Sequence, residues 1–378
     1  MAGIYIHIPF CKQSCHYCNF HFSTSLRQKE QMLDAIQKEI ALTAGYLNGE
    51  PIETIYFGGG TPSVLESSEI ERLIDAIVSA HHIENNPEIT LEANPDDLNA
   101  VKVAALRRTN INRFSIGVQS FHDVDLKYMN RAHNASEALS SIKRVQDAGF
   151  ENITIDLIYG TPTMDDQHWK ENIDTTLALQ VPHISCYGLT VESKTALNSL
   201  IRRGKLPGVD EDRSAAQFEL LMQSLSTAGF DHYEISNFAR AGFYSRHNSA
   251  YWRGIPYLGI GPSAHSFNGR ERQSNVANNP QYIAELSAGR VPFELEQLSP
   301  EQRFNEYVLV SMRTVWGTEL SVIDQMDERY SAHFQEKIKP LIDKGFVLEN
   351  DNVYTLSKKG KLMADYVAME LFCDFKMK

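Results

Sequence analysis

The chain has 378 residues, of which 42% are hydrophobic, so it can bury the core of one large domain and of a second, smaller one. Its formal net charge of -12 argues against a nucleic-acid-binding protein, since phosphate neutralisation needs clustered Lys and Arg. No apolar run reaches the ~18 residues of a membrane-spanning helix. The N-terminus reads as a buried strand without the features of a secretory signal, so we expect a cytoplasmic protein.

Strand-like and helix-like stretches alternate up to about residue 190. The predicted strands are near-continuous apolar runs, as is typical of parallel strands covered by helices, over Ile4–Ile8, Thr54–Phe57, Ile89–Ala93, Arg113–Val118, Ile153–Ile158 and His183–Tyr187. Intervening segments with helical spacing include Gln28–Tyr46, Ser67–Ala80 and Ser136–Ala148. Six strand–helix units predict an α/β fold with a parallel sheet. Polar residues at the strand ends favour a barrel or partial barrel.

The second half of the chain is predicted to end in a separate unit. Helices over Ser193–Gly204 and Glu211–Ala228 precede an aromatic and glycine-rich region, Glu234–Asn268, that has little clear periodicity. We place a domain boundary in the region from Val291-Pro292 to Ser299-Pro300, with domains of residues 1–290 and 291–378. The second domain combines a hairpin over Phe346–Leu356 with predicted helices at Glu301–Arg313, Leu320–Met326, Phe334–Lys344 and Lys359–Leu371. It resembles a winged helix, but its lack of a basic stripe favours a packing role over DNA recognition.

Three of the five cysteines lie on one short loop directly after the first strand. Cys11, Cys15 and Cys18 are spaced C-x3-C-x2-C, and such a group of thiolates is typical of a metal or cluster site. A 4Fe–4S cluster held by three cysteines keeps one iron open for a small ligand. Zinc is an alternative that needs a fourth ligand, for which His16 and His21 are candidates, and a redox dithiol is another. The dithiol leaves Cys11 unexplained, and no second C-x2-C supports zinc.

A glycine turn and a series of polar residues occupy the ends of the next strands. The turn is Gly58-Gly59-Gly60-Thr61-Pro62, and its glycines allow the backbone to approach a ligand and to offer it N–H and C=O groups. The alternative is an ordinary βα turn. Glu92, Gln119 and Asp156 lie in or just after later strands, and Arg131 can pair with a carboxylate. Each alone is explained as a satisfied polar group, but together they predict a ligand-binding ring.

These motifs together resemble the radical S-adenosylmethionine superfamily. Within it, the chain is similar to the oxygen-independent coproporphyrinogen III oxidases and their haem chaperone relatives. The resemblance extends over nearly the whole chain and is carried by the cysteine loop with its preceding Tyr-Ile-His-Ile-Pro-Phe, the glycine turn, Glu92-Ala93-Asn94-Pro95 and Gly117-Val118-Gln119-Ser120. It implies a partial (β/α)6 TIM-like barrel with a small helical C-terminal domain.

The resemblance also implies two cofactors. Cys11, Cys15 and Cys18 would hold a 4Fe–4S cluster, whose open iron binds the amino and carboxylate groups of S-adenosylmethionine. Further contacts with S-adenosylmethionine are implied for Tyr5, Tyr17, Gly59, Gly60, Thr61, Glu92, Gln119, Arg131 and Asp156.

Two departures from the oxidases indicate the chaperone branch. The oxidases carry a fourth cysteine two positions after the third, where this chain has Phe20, and they have an N-terminal extension, whereas Cys11 lies near the start here. By contrast, His247-Asn248-Ser249-Ala250-Tyr251-Trp252 resembles the His-Asn-x-x-Tyr-Trp motif of the haem chaperones. An imidazole can ligate haem iron, and aromatic rings can stack on the macrocycle.

The resemblance therefore implies haem binding by His247, Tyr251 and Trp252. His265 is a weaker candidate for haem binding, and we favour a structural role for it. The favoured function is a haem chaperone that transfers haem to an acceptor protein. The alternatives are an oxygen-independent coproporphyrinogen III oxidase and, with less support, a zinc-stabilised DNA-binding protein.

Overall fold

The computed structural model describes residues 1–374 and contains a partial barrel followed by a smaller C-terminal unit. The barrel strands are β1 Ala2–Ile8, β2 Ile52–Gly59, β3 Ile83–Ala93, β4 Arg113–Gln119, β5 Asn152–Tyr159 and β6 His183–Gly188. Each is the parallel neighbour of the next. The carboxyl ends of these strands therefore meet on one face of the barrel, where ligand sites of such folds lie.

Helices cover the outside of the six strands. They are α1 Lys29–Leu42, α2 Ser67–Ala80, α3 Ala100–Leu106, α4 Asp123–Tyr128, α5 Ala135–Asp147, α6 Asp166–Ala178, α7 Ala196–Arg202 and α8 Glu211–Thr227. Ile70, Leu73, Ile74 and Ile77 of α2 recur at helical spacing and are buried in the core. A capping box between Glu66 and Glu69 begins this helix because each side chain accepts from the other residue's backbone N–H.

Further strands extend the sheet on both sides. The intervening segment contains β7 Asp231–Glu234, β8 Asn237–Ala239, α9 Arg246–Trp252, β9 Tyr257–Ile260, β10 His265–Phe267, β11 Glu271–Asn275, α10 Asn279–Ser287 and β12 Phe293–Gln297. The strand order is β12-β11-β10-β9-β1-β2-β3-β4-β5-β6-β8-β7. Within residues 1–374 the two outermost strands are not paired with each other, so the barrel is partial and open.

The C-terminal unit has a hydrophobic core of its own. Its elements are α11 Pro300–Met312, β13 Thr318–Glu319, α12 Leu320–Asp324, α13 Glu328–Asp343, β14 Val347–Asn350, β15 Val353–Leu356, α14 Lys358–Lys361 and α15 Ala364–Leu371. The three strands form a sheet in the order β13-β15-β14, and Asp351 and Asn352 turn the hairpin with φ of 52° and 61°. None of the helices in the described part of the chain is both long and apolar enough to span a membrane.

The predicted α/β fold with six parallel strands is confirmed, and so is the hairpin of the second unit. The sheet continues past residue 290, because β12 pairs with β11, whereas the second core begins at Phe304. We therefore propose that the domain division lies between Gln297 and Pro300, at the C-terminal end of the predicted boundary region.

A buried carboxyl joins the added strands to the barrel helices. Glu39 of α1 is completely buried and accepts hydrogen bonds from the Gly261 N–H at 2.7 Å, from Asn275 Nδ2 at 2.6 Å and from the Tyr282 hydroxyl. Burial is the main cause that raises the pKa of Glu39 from 4.5 to about 7. The folded state therefore retains a proton that the unfolded chain has released between these two pH values.

This network predicts the pH dependence of a Glu39→Gln variant. The wild type loses stability as the pH rises from 4.5 to 7, whereas the glutamine variant lacks this loss. We expect the free energy of unfolding of the variant, relative to wild type, to rise by about 2 kcal/mol between pH 5 and pH 8 in urea titrations. Glu30→Gln, which removes an exposed carboxylate from the same helix, is the control. A difference that stays constant with pH would contradict the prediction.

Candidate functional site

The cysteine loop is held between the first strand and the loops that follow β2 and β4. Cys11 Sγ accepts a hydrogen bond from Thr61 Oγ1 at 3.3 Å, and Cys15 Sγ accepts one from Arg131 Nη1 at 3.3 Å. Burial raises the pKa of the Cys11 thiol to about 11 and also raises the pKa of Cys18. Thiolates at these positions therefore need a positively charged partner, such as the iron of a cluster.

A 4Fe–4S cluster fits this donor set. A cluster takes its thiolates on different iron atoms, and the guanidinium of Arg131 adds a positive charge beside Cys15. In residues 1–374, no three His, Cys, Asp or Glu side chains are grouped as ligands of a single metal ion.

The glycine turn fixes the cysteine loop rather than offering all its N–H groups to a ligand. The Gly60 N–H donates to Ile8 O at 2.9 Å, and the Thr61 N–H donates to Phe10 O at 2.7 Å. These two groups are therefore not free, contrary to the prediction from the three glycines. Gly59 has a φ of 101°, which favours glycine. A Cβ on Gly60 would lie 2.6 Å from Phe10 O, so only glycine allows this approach.

This contact predicts the effect of Gly60→Ala. The new Cβ would meet backbone atoms of Ile8 and Phe10, and the turn would have to move away from the cysteine loop. We expect a loss of about 1–3 kcal/mol in the free energy of unfolding, together with a lower iron content after reconstitution. Gly45→Ala is the control, since a Cβ there has nothing within 4 Å. Equal stability and iron content in the two variants would contradict the prediction.

A cavity of about 450 Å3, here called the cluster cavity, lies at the carboxyl ends of the barrel strands. Its wall includes every residue predicted for the cluster and for S-adenosylmethionine except Tyr5, namely Cys11, Cys15, Cys18, Tyr17, Gly59, Gly60, Thr61, Glu92, Gln119, Arg131 and Asp156. The fold thus brings together residues that lie up to about 145 positions apart in the chain. Asn94 also lines this cavity, and its Oδ1 accepts a hydrogen bond of 2.7 Å from Arg131 Nη2.

Burial changes the pKa values of two carboxyl groups on the wall of the cluster cavity. Burial raises the pKa of Glu92 to about 7 and that of Asp156 to about 6. Tyr56 donates a hydrogen bond to Glu92 at 2.8 Å, and Ser115 donates to both oxygens of Asp156 at 3.1–3.2 Å. Near neutral pH each acid can therefore accept or donate a hydrogen bond to a polar ligand.

Gln119 and Arg131 also line the cluster cavity, and each has an unusual local geometry. Gln119 has a φ of 68°, and the pairing of β4 with β5 shifts register at this point. Such an irregularity redirects a side chain beside a site. Arg131 donates from Nη2 to Gly117 O at 2.7 Å, whereas its buried Nε has no hydrogen-bond partner among residues 1–374. The buried Nε is therefore available to an anionic group.

A second cavity of about 890 Å3, here called the large cavity, adjoins the first. Its wall includes His247, Tyr251, Trp252, His265 and Tyr5. The two cavities share the lining residues Asn19, Phe20, Glu92 and Tyr187. A volume of this size is sufficient for a large, flat organic ligand.

His247 is oriented by contacts on three sides. Its Nδ1 is 2.8 Å from Thr54 Oγ1, and its ring stacks on Tyr56 with 5.0 Å between the centroids. Its backbone N–H donates to Glu88 at 3.1 Å at the start of α9. A Cβ on Gly3 would lie 2.7 Å from Thr54 Oγ1 and 3.2 Å from the imidazole, so the glycine makes room for the pair. Burial lowers the pKa of His247 to about 3, which keeps the imidazole neutral.

Residues 5–176 match the Radical SAM superfamily pattern. The heme chaperone HemW of Bacillus subtilis is 33% identical over 97% of this chain and 98% of its own length. The heme chaperone HemW of Lactococcus lactis is also 33% identical, over 98% of this chain and 97% of its own length. The chain belongs to the HemW family of radical SAM proteins. It also shares the fold of the coproporphyrinogen III oxidase HemN from Escherichia coli, with a TM-score of 0.85 and 22% identity over 98% of this chain and 90% of the other.

Two further residues of this HemW family member lie on the wall of the large cavity. Tyr5 lies on the wall of the large cavity beside Tyr56, with 6.1 Å between the ring centroids, so its contact with S-adenosylmethionine stays a prediction. His265, expected to be structural, is exposed on the same wall.

Two functional candidates were missed by sequence reasoning. Tyr56 donates a hydrogen bond to Glu92 and stacks on His247. In the sequence it stands within an apolar strand, where a tyrosine is normally a core residue. Arg313 reaches the large cavity from the C-terminal unit, and no local sequence signal points to it.

Proposed function

We propose that this protein is a haem chaperone that binds haem in the large cavity and passes it to an acceptor protein. The observation that carries the proposal is His247, a neutral imidazole whose Nδ1 is fixed by Thr54 on the wall of an 890 Å3 cavity. The name of the relatives, heme chaperone HemW, supports the same function. Its action in the cytoplasm stays a prediction.

The geometry of His247 is that of a metal-binding histidine. Such a histidine uses one ring nitrogen to bind the metal while the other is held by a hydrogen bond that fixes the tautomer. Here Thr54 holds Nδ1, and Nε2 has no hydrogen-bond partner in residues 1–374. The low pKa keeps the imidazole neutral at pH 7. We assign the tautomer in which Nδ1–H donates to Thr54 Oγ1, because it leaves the lone pair of Nε2 to ligate haem iron. Tyr251 and Trp252 add aromatic surface for the macrocycle.

We also propose that the cluster cavity holds a 4Fe–4S cluster and S-adenosylmethionine. Cys11, Cys15 and Cys18 would bind the cluster, with Thr61 and Arg131 donating hydrogen bonds to two of the sulfurs. Glu92, Gln119 and Asp156 would bind the polar groups of S-adenosylmethionine. The bound pair would supply one-electron chemistry, as is general for this cofactor class.

A second candidate function is the oxidative decarboxylation of coproporphyrinogen III. The observation that favours it is the shared wall of the two cavities, because a porphyrin bound in the large cavity would then lie next to the proposed cofactor site. Against it stands Phe20, which occupies the position of the fourth cysteine of the oxidases and lies on that wall.

Transfer of haem to a haem-free protein tests the proposed function. The purified protein is loaded with one equivalent of haemin and mixed with excess apomyoglobin, and the Soret band of each separated protein is recorded. A chaperone should bind haem and release most of it to the acceptor. Failure to bind haemin, or retention of haem as a permanent prosthetic group, would overturn the proposal.

A further inference from the structure

Among residues 1–374, the wall of the large cavity contains one arginine and no lysine, and this arginine, Arg313, belongs to the C-terminal unit. It follows α11 directly, in a loop that runs along the edge strand of the barrel sheet. The Ile235 N–H donates to Arg313 O at 3.1 Å, and the Val315 N–H donates to Tyr233 O at 2.9 Å. These bonds fix the backbone of the loop against the barrel.

The guanidinium of Arg313 lies between two carboxylates, those of Asp365 and Glu234. Nη1 donates to Asp365 at 2.8 Å, and the Asp365 side chain is 81% exposed, so water can replace Arg313 there. Nε lies 3.5 Å from Glu234 Oε1, yet neither atom makes a hydrogen bond within the described residues. The Nη1 contact of Arg313 with Asp365 can therefore be exchanged for the carboxylate of a ligand, while Nε stays beside Glu234.

Its position also suits a ligand that lies beside Trp252. The Arg313 guanidinium carbon is 5.7 Å from the centre of the Trp252 ring, and Trp252 is in edge contact with Tyr251 at 5.2 Å. A macrocycle packed on these rings would bring its edge close to Arg313. The carboxylate side chains of haem are on that edge, and burying them requires a cation.

We propose that Arg313 binds a propionate carboxylate of the macrocycle in the large cavity, so that the C-terminal unit selects for ligands with free carboxylates. This inference rests on the proposed haem function. A guanidinium can bind a carboxylate through two parallel hydrogen bonds, which gives both strength and orientation. Arg313 is thus a specificity-determining residue, whereas His247 supplies the iron ligand.

Binding of haemin and of haemin dimethyl ester distinguishes the two roles. We expect the wild type to bind haemin about tenfold more tightly than the ester, as an ion pair at a partly buried site requires. In Arg313→Gln this preference should fall below about threefold, because only the binding of the free acid is weakened. Arg253→Gln is the matched control. Its guanidinium also lies 5.7 Å from a tryptophan ring, that of Trp316, but it does not line the cavity.

These measurements separate the role of Arg313 from the haem function itself. An unchanged preference in Arg313→Gln, with wild-type haemin affinity, overturns the role of Arg313 and leaves the haem function standing. Absence of haemin binding by the wild type overturns the haem function itself, and Arg313 falls with it. If the glutamine variant does not fold, Arg313→Met removes the charge and keeps a long side chain, and an unchanged preference in that variant would also refute the role.

Discussion

Replacing Cys15 by alanine should abolish the cluster, with iron and sulfide falling to less than about a tenth of the wild-type content after anaerobic reconstitution. The thiol of Cys15 is one of the three thiols of the cysteine loop. In residues 1–374, no other cysteine lies on the wall of the cluster cavity and could replace it. The Arg131 guanidinium, which donates to Cys15 Sγ, cannot act as a ligand in its place.

The isolated cysteine Cys186 provides the control for this experiment. It is buried in β6, outside the wall of the cluster cavity, and Cys186→Ala removes the same number of atoms from the chain. Its iron content should remain that of the wild type, although its stability should fall somewhat. Wild-type iron in Cys15→Ala, or equal losses in both variants, would contradict the assignment of the cysteine loop.

The second large effect concerns haem. His247→Ala should weaken haemin binding at least tenfold, about 1.4 kcal/mol or more, and should remove the spectrum of histidine-ligated iron. The alanine loses the iron ligand and also the ring that stacks on Tyr56. Thr54→Val should give a smaller loss, because it removes the group that fixes Nδ1 and leaves the imidazole in place.

A histidine on the surface serves as the control for His247. His122 stacks on His168 away from both cavities, so His122→Ala should bind haemin as the wild type does. Equal, weak binding by the wild type and His247→Ala would refute the ligand assignment.

The barrel could be predicted because its strands are buried on both faces and its helices are amphipathic. Ser67–Ala80 was predicted with the bounds that the structure has, since its apolar residues recur with helical spacing. The segment from Glu234 to Asn268 could not be assigned, because its strands have three or four residues and α9 has seven. Elements so short give no periodicity, and their place is decided by pairing with distant strands.

The residues of the candidate site were likewise predicted only in part. The cysteine loop and the strand ends were identified because reactive residue types are clustered in the sequence or interrupt apolar runs. Glu39 was not foreseen, since a glutamate in a helix is normally on the solvated face. Arg313 was not foreseen either, because it reaches the large cavity only through the pairing of its loop with the barrel edge. Contacts between distant segments of this kind leave no local pattern.

We predict that this chain carries haem and does not make porphyrin. One anaerobically reconstituted sample, supplied with S-adenosylmethionine and a reductant, can be divided between a haemin titration and an assay with coproporphyrinogen III. We predict one haem bound per chain and recovery of the coproporphyrinogen III unchanged. Formation of protoporphyrinogen IX over many turnovers, without saturable haemin binding, would contradict the account.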